Sequence, residues 1–93
     1  MPPAAFIGST INSGDGAVVL EGSADVLING VGAARVGDAV EAHSPGTGLH
    51  LTPVIAQGSL TVKIDGIPAA YVGCLLNCGH IIITGSPDVE IGA

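Results

Sequence analysis

The sequence predicts an all-β domain of three β-hairpin repeats set about a pseudo-threefold axis, the third repeat split between the two chain ends. Three observations predict it. A unit of 17 residues occurs twice at a constant spacing of 36, its two halves recur at the two ends of the chain, and Asn-Gly and Asp-Gly dipeptides interrupt runs of β-branched residues. At 93 residues the chain has room for one domain, residues 1–93.

The first half-unit is Pro2-Pro-Ala-Ala-Phe-Ile-Gly-Ser9, which matches the return strand of the complete copies. A first connection runs from Ser9 to Glu21. The first complete copy follows, Gly22-Ser-Ala-Asp-Val-Leu-Ile-Asn-Gly-Val-Gly-Ala-Ala-Arg-Val-Gly-Asp38. The second is Gly58-Ser-Leu-Thr-Val-Lys-Ile-Asp-Gly-Ile-Pro-Ala-Ala-Tyr-Val-Gly-Cys74, in register with the first without a gap. In each, Asn29-Gly30 or Asp65-Gly66 supplies the positive φ that a type I′ turn demands. The Ala-Ala pair of the return strand is small enough for close approach at a crowded axis. Connections from Ala39 to Gln57 and from Leu75 to Thr84 complete the loops, and Gly85-Ser-Pro-Asp-Val-Glu-Ile-Gly-Ala93 repeats the outgoing half of the unit. All three connections leave from the hairpin feet, so the loops are expected at one pole and the turns at the other. Glycine at 15 residues and proline at six punctuate the chain too often for a long helix.

Composition narrows the function. Two basic residues, Arg35 and Lys63, stand against eight acidic ones for a net charge of -6, which excludes the basic patch that nucleic acid requires. No apolar run approaches the roughly 18 residues of a spanning helix, so stable membrane insertion is not expected. The N-terminal residues show neither the basic region nor the apolar stretch of a secretory signal. Hydrophobic residues make up 47% but Phe6 and Tyr71 are the whole aromatic content, so the core is thin and calls for a staple.

The histidines and cysteines supply one. His43 and His50 lie in the second loop, and Cys78 and His80 in the third, where an i, i+2 pair in extended chain points to one side. Three imidazoles and one thiolate make a tetrahedral zinc shell, although the spacing matches no standard finger. Cys74 occupies the repeat position of Ser9 and Asp38, and the sequence leaves open whether it or Cys78 is the thiolate. Nucleophilic catalysis by Cys78 and His80 lacks an orienting carboxamide. Asp25, Asp38, Asp65 and Asp88 recur at repeat positions or turns and read as turn and solvation residues.

The repeated unit resembles the PAAR-repeat family. Its motif stands here as Gly32-Ala33-Ala34-Arg35, Pro68-Ala69-Ala70-Tyr71 and Pro3-Ala4-Ala5-Phe6, and Gly85-Ser86-Pro87-Asp88-Val89-Glu90-Ile91-Gly92 matches the family's second signature. The resemblance implies a small cone with one zinc ion per chain near its vertex, held by His43, His50, Cys78 and His80. It implies a non-enzymatic tip that caps a trimeric VgrG-type type VI secretion spike as a monomer on a trimer. Such a tip is assembled in the bacterial cytoplasm, helps pierce membranes and is exported with the spike without a signal peptide. Many relatives carry a histidine in the first loop, where this chain has Asn12, Ser13 and Asp15. Because the repeat fills Pro2 to Gly92, the chain is expected to be a bare tip that takes effector cargo non-covalently. With the metal at the loop pole, Asn29, Gly30, Asp65 and Gly66 are the expected contact with the trimer. The alternatives are an adaptor module, with or without metal, and a small zinc hydrolase, which four available ligands disfavour.

Overall fold

The computed structural model describes residues 1–14, 16–42 and 53–92. Among these there is no helix, and the fold is all-β. Two antiparallel hairpins pair β1 (Leu27–Ile28) with β2 (Val31–Gly32) and β3 (Lys63–Ile64) with β4 (Ile67–Pro68), and isolated bridges carry the remaining ladder. Asn29 and Gly30 have φ of 53° and 85°, and Asp65 and Gly66 of 55° and 78°. Positive φ at both central residues is the type I′ geometry that the two dipeptides predict.

The chain ends build the third hairpin. Pro3 bridges Glu90, the Ala4 N–H donates to the Val89 carbonyl at 2.8 Å, and the Ile91 N–H donates to the Pro2 carbonyl at 2.8 Å. Pro3 therefore takes the register position of Gly32 and Pro68, and Glu90 that of Leu27 and Lys63.

The three return strands close on one another. Phe6 bridges Ala33, Arg35 bridges Ala69, and Tyr71 bridges Ala4. Within this cycle the Ala34 N–H donates to the Ala5 carbonyl at 3.0 Å, Ala70 to Ala34 at 2.9 Å, and Ala5 to Ala70 at 3.1 Å. Three backbone bonds thus make a closed triangle, which is the pseudo-threefold axis read from the repeat. The six alanines at positions 4, 5, 33, 34, 69 and 70 are at most 1% exposed, so the strands meet where only a methyl group fits.

Each strand then turns away from the triangle. Ser9, Asp38 and Cys74 donate their N–H groups to the carbonyls of Phe6, Arg35 and Tyr71, with Gly8, Gly37 and Gly73 at φ of 102°, 92° and 103° inside the turns. Beyond them a second cycle forms, with Val19 bridged to Val40, Ile55 to Leu76 and Ile82 to Ile11. These six residues are buried and form the main apolar core with Ala5, Ala34 and Ala70. A smaller cluster of Ile28, Ile64 and Ile91 fills the opposite side of the triangle with Ala4, Ala33 and Ala69.

The hairpin turns are held by side-chain hydrogen bonds to neighbouring modules. The Ser23 hydroxyl donates to Asp65 Oδ2 at 2.6 Å, the Ser86 hydroxyl to Asn29 Oδ1, and the Ser59 hydroxyl to the Gly92 carbonyl. Each turn, or its equivalent at the chain end, is tucked against the start of a neighbouring hairpin, so the three hairpins close as the sides of a triangle.

Candidate functional site

The loop side is organised by side chains that substitute for missing strand partners. Asn12, Glu41 and Asn77 donate their own N–H groups to Ile81, Val18 and Val54 and accept the N–H of the same residue on a side-chain oxygen. One step outward, Glu21 Oε1, Gln57 Oε1 and Thr84 Oγ1 accept from the N–H groups of Ala39, Leu75 and Thr10. The equal spacing of Glu21 with Gln57 and of Glu41 with Asn77 was the sequence signal for this second set of repeat contacts, which the hairpin motif alone does not reveal.

The third loop holds two residues of metal-ligating type, Cys78 and His80. The Leu76 N–H donates to the His80 carbonyl at 2.8 Å and the Gly79 N–H to the Leu76 carbonyl at 3.1 Å, while Gly79 has φ of 93°. This is a three-residue hairpin loop, Asn77-Cys78-Gly79, closed by a glycine in the left-handed region. It brings Cys78 Sγ to 3.5 Å from His80 Nδ1, and both side chains are half-buried. Cys78 packs against the main core, which fixes the backbone beneath it. A tetrahedral zinc with a sulfur at about 2.3 Å and a nitrogen at about 2.0 Å separates those two donors by about 3.5 Å. The pair therefore fits one edge of such a shell. His43 and His50 lie outside the described residues, as does Asp15. Among the described residues no group of three or more His, Cys, Asp and Glu is assembled.

Cys74 is placed elsewhere. Its side chain is fully buried, and its sulfur accepts the Tyr71 N–H at 3.4 Å. Ser9 Oγ accepts from Phe6 in the same way at 3.0 Å, and Asp38 Oδ2 from Arg35 at 2.7 Å. Burial pushes the Cys74 thiol up, against a smaller opposing effect of the Tyr71 hydrogen bonds. Cys74 thus closes a turn as a neutral thiol, and among the described residues Cys78 is the cysteine that meets an imidazole.

The hairpin side carries Asn29, Gly30, Asp65 and Gly66, all exposed, at two of the triangle's three turn positions. Their side chains are already engaged. Asn29 Nδ2 donates to Asp88 Oδ2 at 2.9 Å in addition to its bond with Ser86. Asp65 accepts from Ser23 and from Arg35 Nη1 at 3.0 Å. Arg35 also holds Asp38 through Nε at 3.1 Å and Nη2 at 3.0 Å, and that bond with Asp38 is the main cause of the upward shift of the Arg35 guanidinium. One guanidinium so joins the turn of its own module to the hairpin of the next. The sequence shows Arg35 and the aspartates, but not that they meet.

The family model described as the PAAR motif matches residues 10–84. The chain is 42% identical over 80 residues to the NAD(P)(+) glycohydrolase toxin Tse6 of Pseudomonas aeruginosa, covering 81% of this chain and 19% of the toxin. It is 42% identical over 80 residues to the (p)ppApp synthetase toxin Tas1 of Pseudomonas aeruginosa, covering 81% of this chain and 18% of that protein. The double-stranded DNA deaminase toxin A of Burkholderia cenocepacia is 36% identical over 85 residues, 88% of this chain and 6% of the toxin. The chain thus spans less than a fifth of the length of these relatives. The motif match covers most of the chain, including the Ala34 and Ala70 strands of the triangle, and decides the assignment: the chain belongs to the PAAR motif family.

Proposed function

We propose that this chain is the pointed tip of a type VI secretion spike, seated on the end of a trimeric VgrG-type needle and exported with it. The observation that carries the reading is the closed hydrogen-bonded triangle of Ala5, Ala34 and Ala70, from which three near-equivalent hairpins radiate. A monomer built this way presents one kind of surface three times and can meet a threefold partner with three similar contacts at once.

One zinc ion belongs to the reading, with Cys78 and His80 on one side of the shell and His43 and His50 completing it. The Cys78–His80 separation and the soft sulfur and imidazole donors suit that ion. Its role is structural, tying the second loop to the third. The region has no catalytic part in this reading. The activities in the toxins' names belong to those whole proteins, of which this chain matches less than a fifth.

Native mass spectrometry of the purified chain mixed with the VgrG-type trimer from the same genome tests the reading. One chain and one zinc per trimer is the expected species. Absence of any complex, or three chains per trimer, overturns it.

A further inference from the structure

Each module ends its strand stack in a backbone edge that no other described strand covers. In the first hairpin Ile28 pairs with Val31 beside the turn and the Ala33 N–H donates to the Val26 carbonyl. Leu27, opposite Gly32, falls between these bonded pairs, so its own N–H and C=O point outward, away from β2. Lys63 opposite Pro68 repeats the arrangement, with Ala69 donating to Val62, and so does Glu90 opposite Pro3, with Ala4 donating to Val89. The inner side of each stack is occupied. The carbonyls of Gly32, Pro68 and Pro3 accept from Ile7, Val36 and Val72. The ladder thus continues toward the loops on one side and stops at Leu27, Lys63 and Glu90 on the other, three exposed residues at equivalent positions.

We propose that these three open edges are the docking surface, and that the threefold end of a β-structured partner adds one strand to each, continuing the ladder through the N–H and C=O groups of Leu27, Lys63 and Glu90. The inference rests on the reading of the chain as a cap on a trimeric spike and names the atoms that make the contact. The side chains at the three positions are an aliphatic, a cation and an anion, whereas the backbone geometry is the same. A contact read through the backbone tolerates that variety. Each edge strand is two residues long where it is regular, so a single added strand gains few bonds, and engagement of three edges together is what holds the partner. A second copy of this chain is a poor occupant. Asp25, Asp88 and Glu90 are exposed on these strands or just before them, and face-to-face pairing would oppose them to their own copies.

Residue-resolved amide exchange on the free chain and on its complex with the VgrG-type trimer tests the proposal. In the free chain the amides of Leu27, Lys63 and Glu90 exchange fast, and in the complex all three slow by about tenfold or more. A complex that forms while these amides keep their free rates overturns the edge contact and leaves the spike reading intact. Absence of a complex removes both. Lys63→Pro deletes one outward donor at a place where an edge strand accepts proline, and weakens binding several-fold with unchanged melting; unchanged affinity in a folded variant counts against the proposal.

Discussion

The amide of Ala34 donates to the carbonyl of Ala5 at 3.0 Å although 29 residues separate them, and this bond is one side of a triangle that Ala70 completes. Both alanines are unexposed, so nothing larger than a methyl group fits beside the bond. Ala34→Val should lower stability by about 1–3 kcal/mol through overpacking, whereas Ala24→Val, on an exposed residue, should stay within about 0.5 kcal/mol. Chemical denaturation of the two variants checks this, and equal midpoints would remove the triangle as a tightly packed element.

Much of this frame is legible in the sequence because its rules are local. Asn29-Gly30 and Asp65-Gly66 each fix a turn within two residues, and the Ala-Ala pairs mark the crowded strands at each repeat. The contacts between modules are less legible because the acceptor changes while the donor does not. Ser23, Ser59 and Ser86 bond to a carboxylate, a backbone carbonyl and an amide oxygen, so no shared letter announces the cycle. Cys74 could be separated from Cys78 only in three dimensions, since its repeat position names Ser9 and Asp38 as equivalents without saying what they do.

Arg35 and Asp38 are a matched pair. Arg35→Phe alone strands a carboxylate that is only 7% exposed and should destabilise by about 2–4 kcal/mol. Adding Asp38→Ser reproduces the Phe6 and Ser9 combination already used in the split module and should recover most of that loss. A double-mutant cycle by urea titration measures the recovery, and additive losses would refute the equivalence of the two turns.

Cys74 sets an alkaline limit. Its thiol pKa is raised above the ordinary 9.0 by burial, so at higher pH the unfolded chain gives up a proton that the folded chain keeps. The contribution is whole below about pH 9 and is lost as pH rises through the folded value. Between about pH 8 and about pH 10 the melting temperature of the wild type should fall more than that of Cys74→Ser, whose hydroxyl takes the place that Ser9 fills elsewhere. Parallel melting curves would exclude this titration.

The two cysteines should respond oppositely to metal assays. Elemental mass spectrometry of reduced protein should find about one zinc per chain in the wild type and in Cys74→Ser, and little in Cys78→Ala or His80→Ala. Zinc retained in both of the latter would dismiss the third loop as a ligand source.

Glycines separate into two classes by what a side chain would meet. A Cβ at Gly85 would lie 2.6 Å from the Ala4 carbonyl oxygen, whereas one at Gly37 meets nothing within 4 Å and suffers only from the φ of 92°. Gly85→Ala should therefore cost about 2 kcal/mol or more and Gly37→Ala about 1 kcal/mol. Their order in thermal melts is the readout, and the reverse order would contradict the close approach of the third hairpin.

The bonds from Ala4 to Val89 and from Ile91 to Pro2 join residues more than 80 positions apart, and the triangle contains a strand from each of three distant stretches. Contacts of that span are closed late and at a high loop entropy, so folding should be slow for so small a chain. A nascent chain on the ribosome cannot finish its third hairpin until Ile91 has cleared the exit tunnel. Until then the Pro3-Ala4 strand, made first, has no hairpin partner, and that unpaired edge is where the growing chain is most exposed to aggregation.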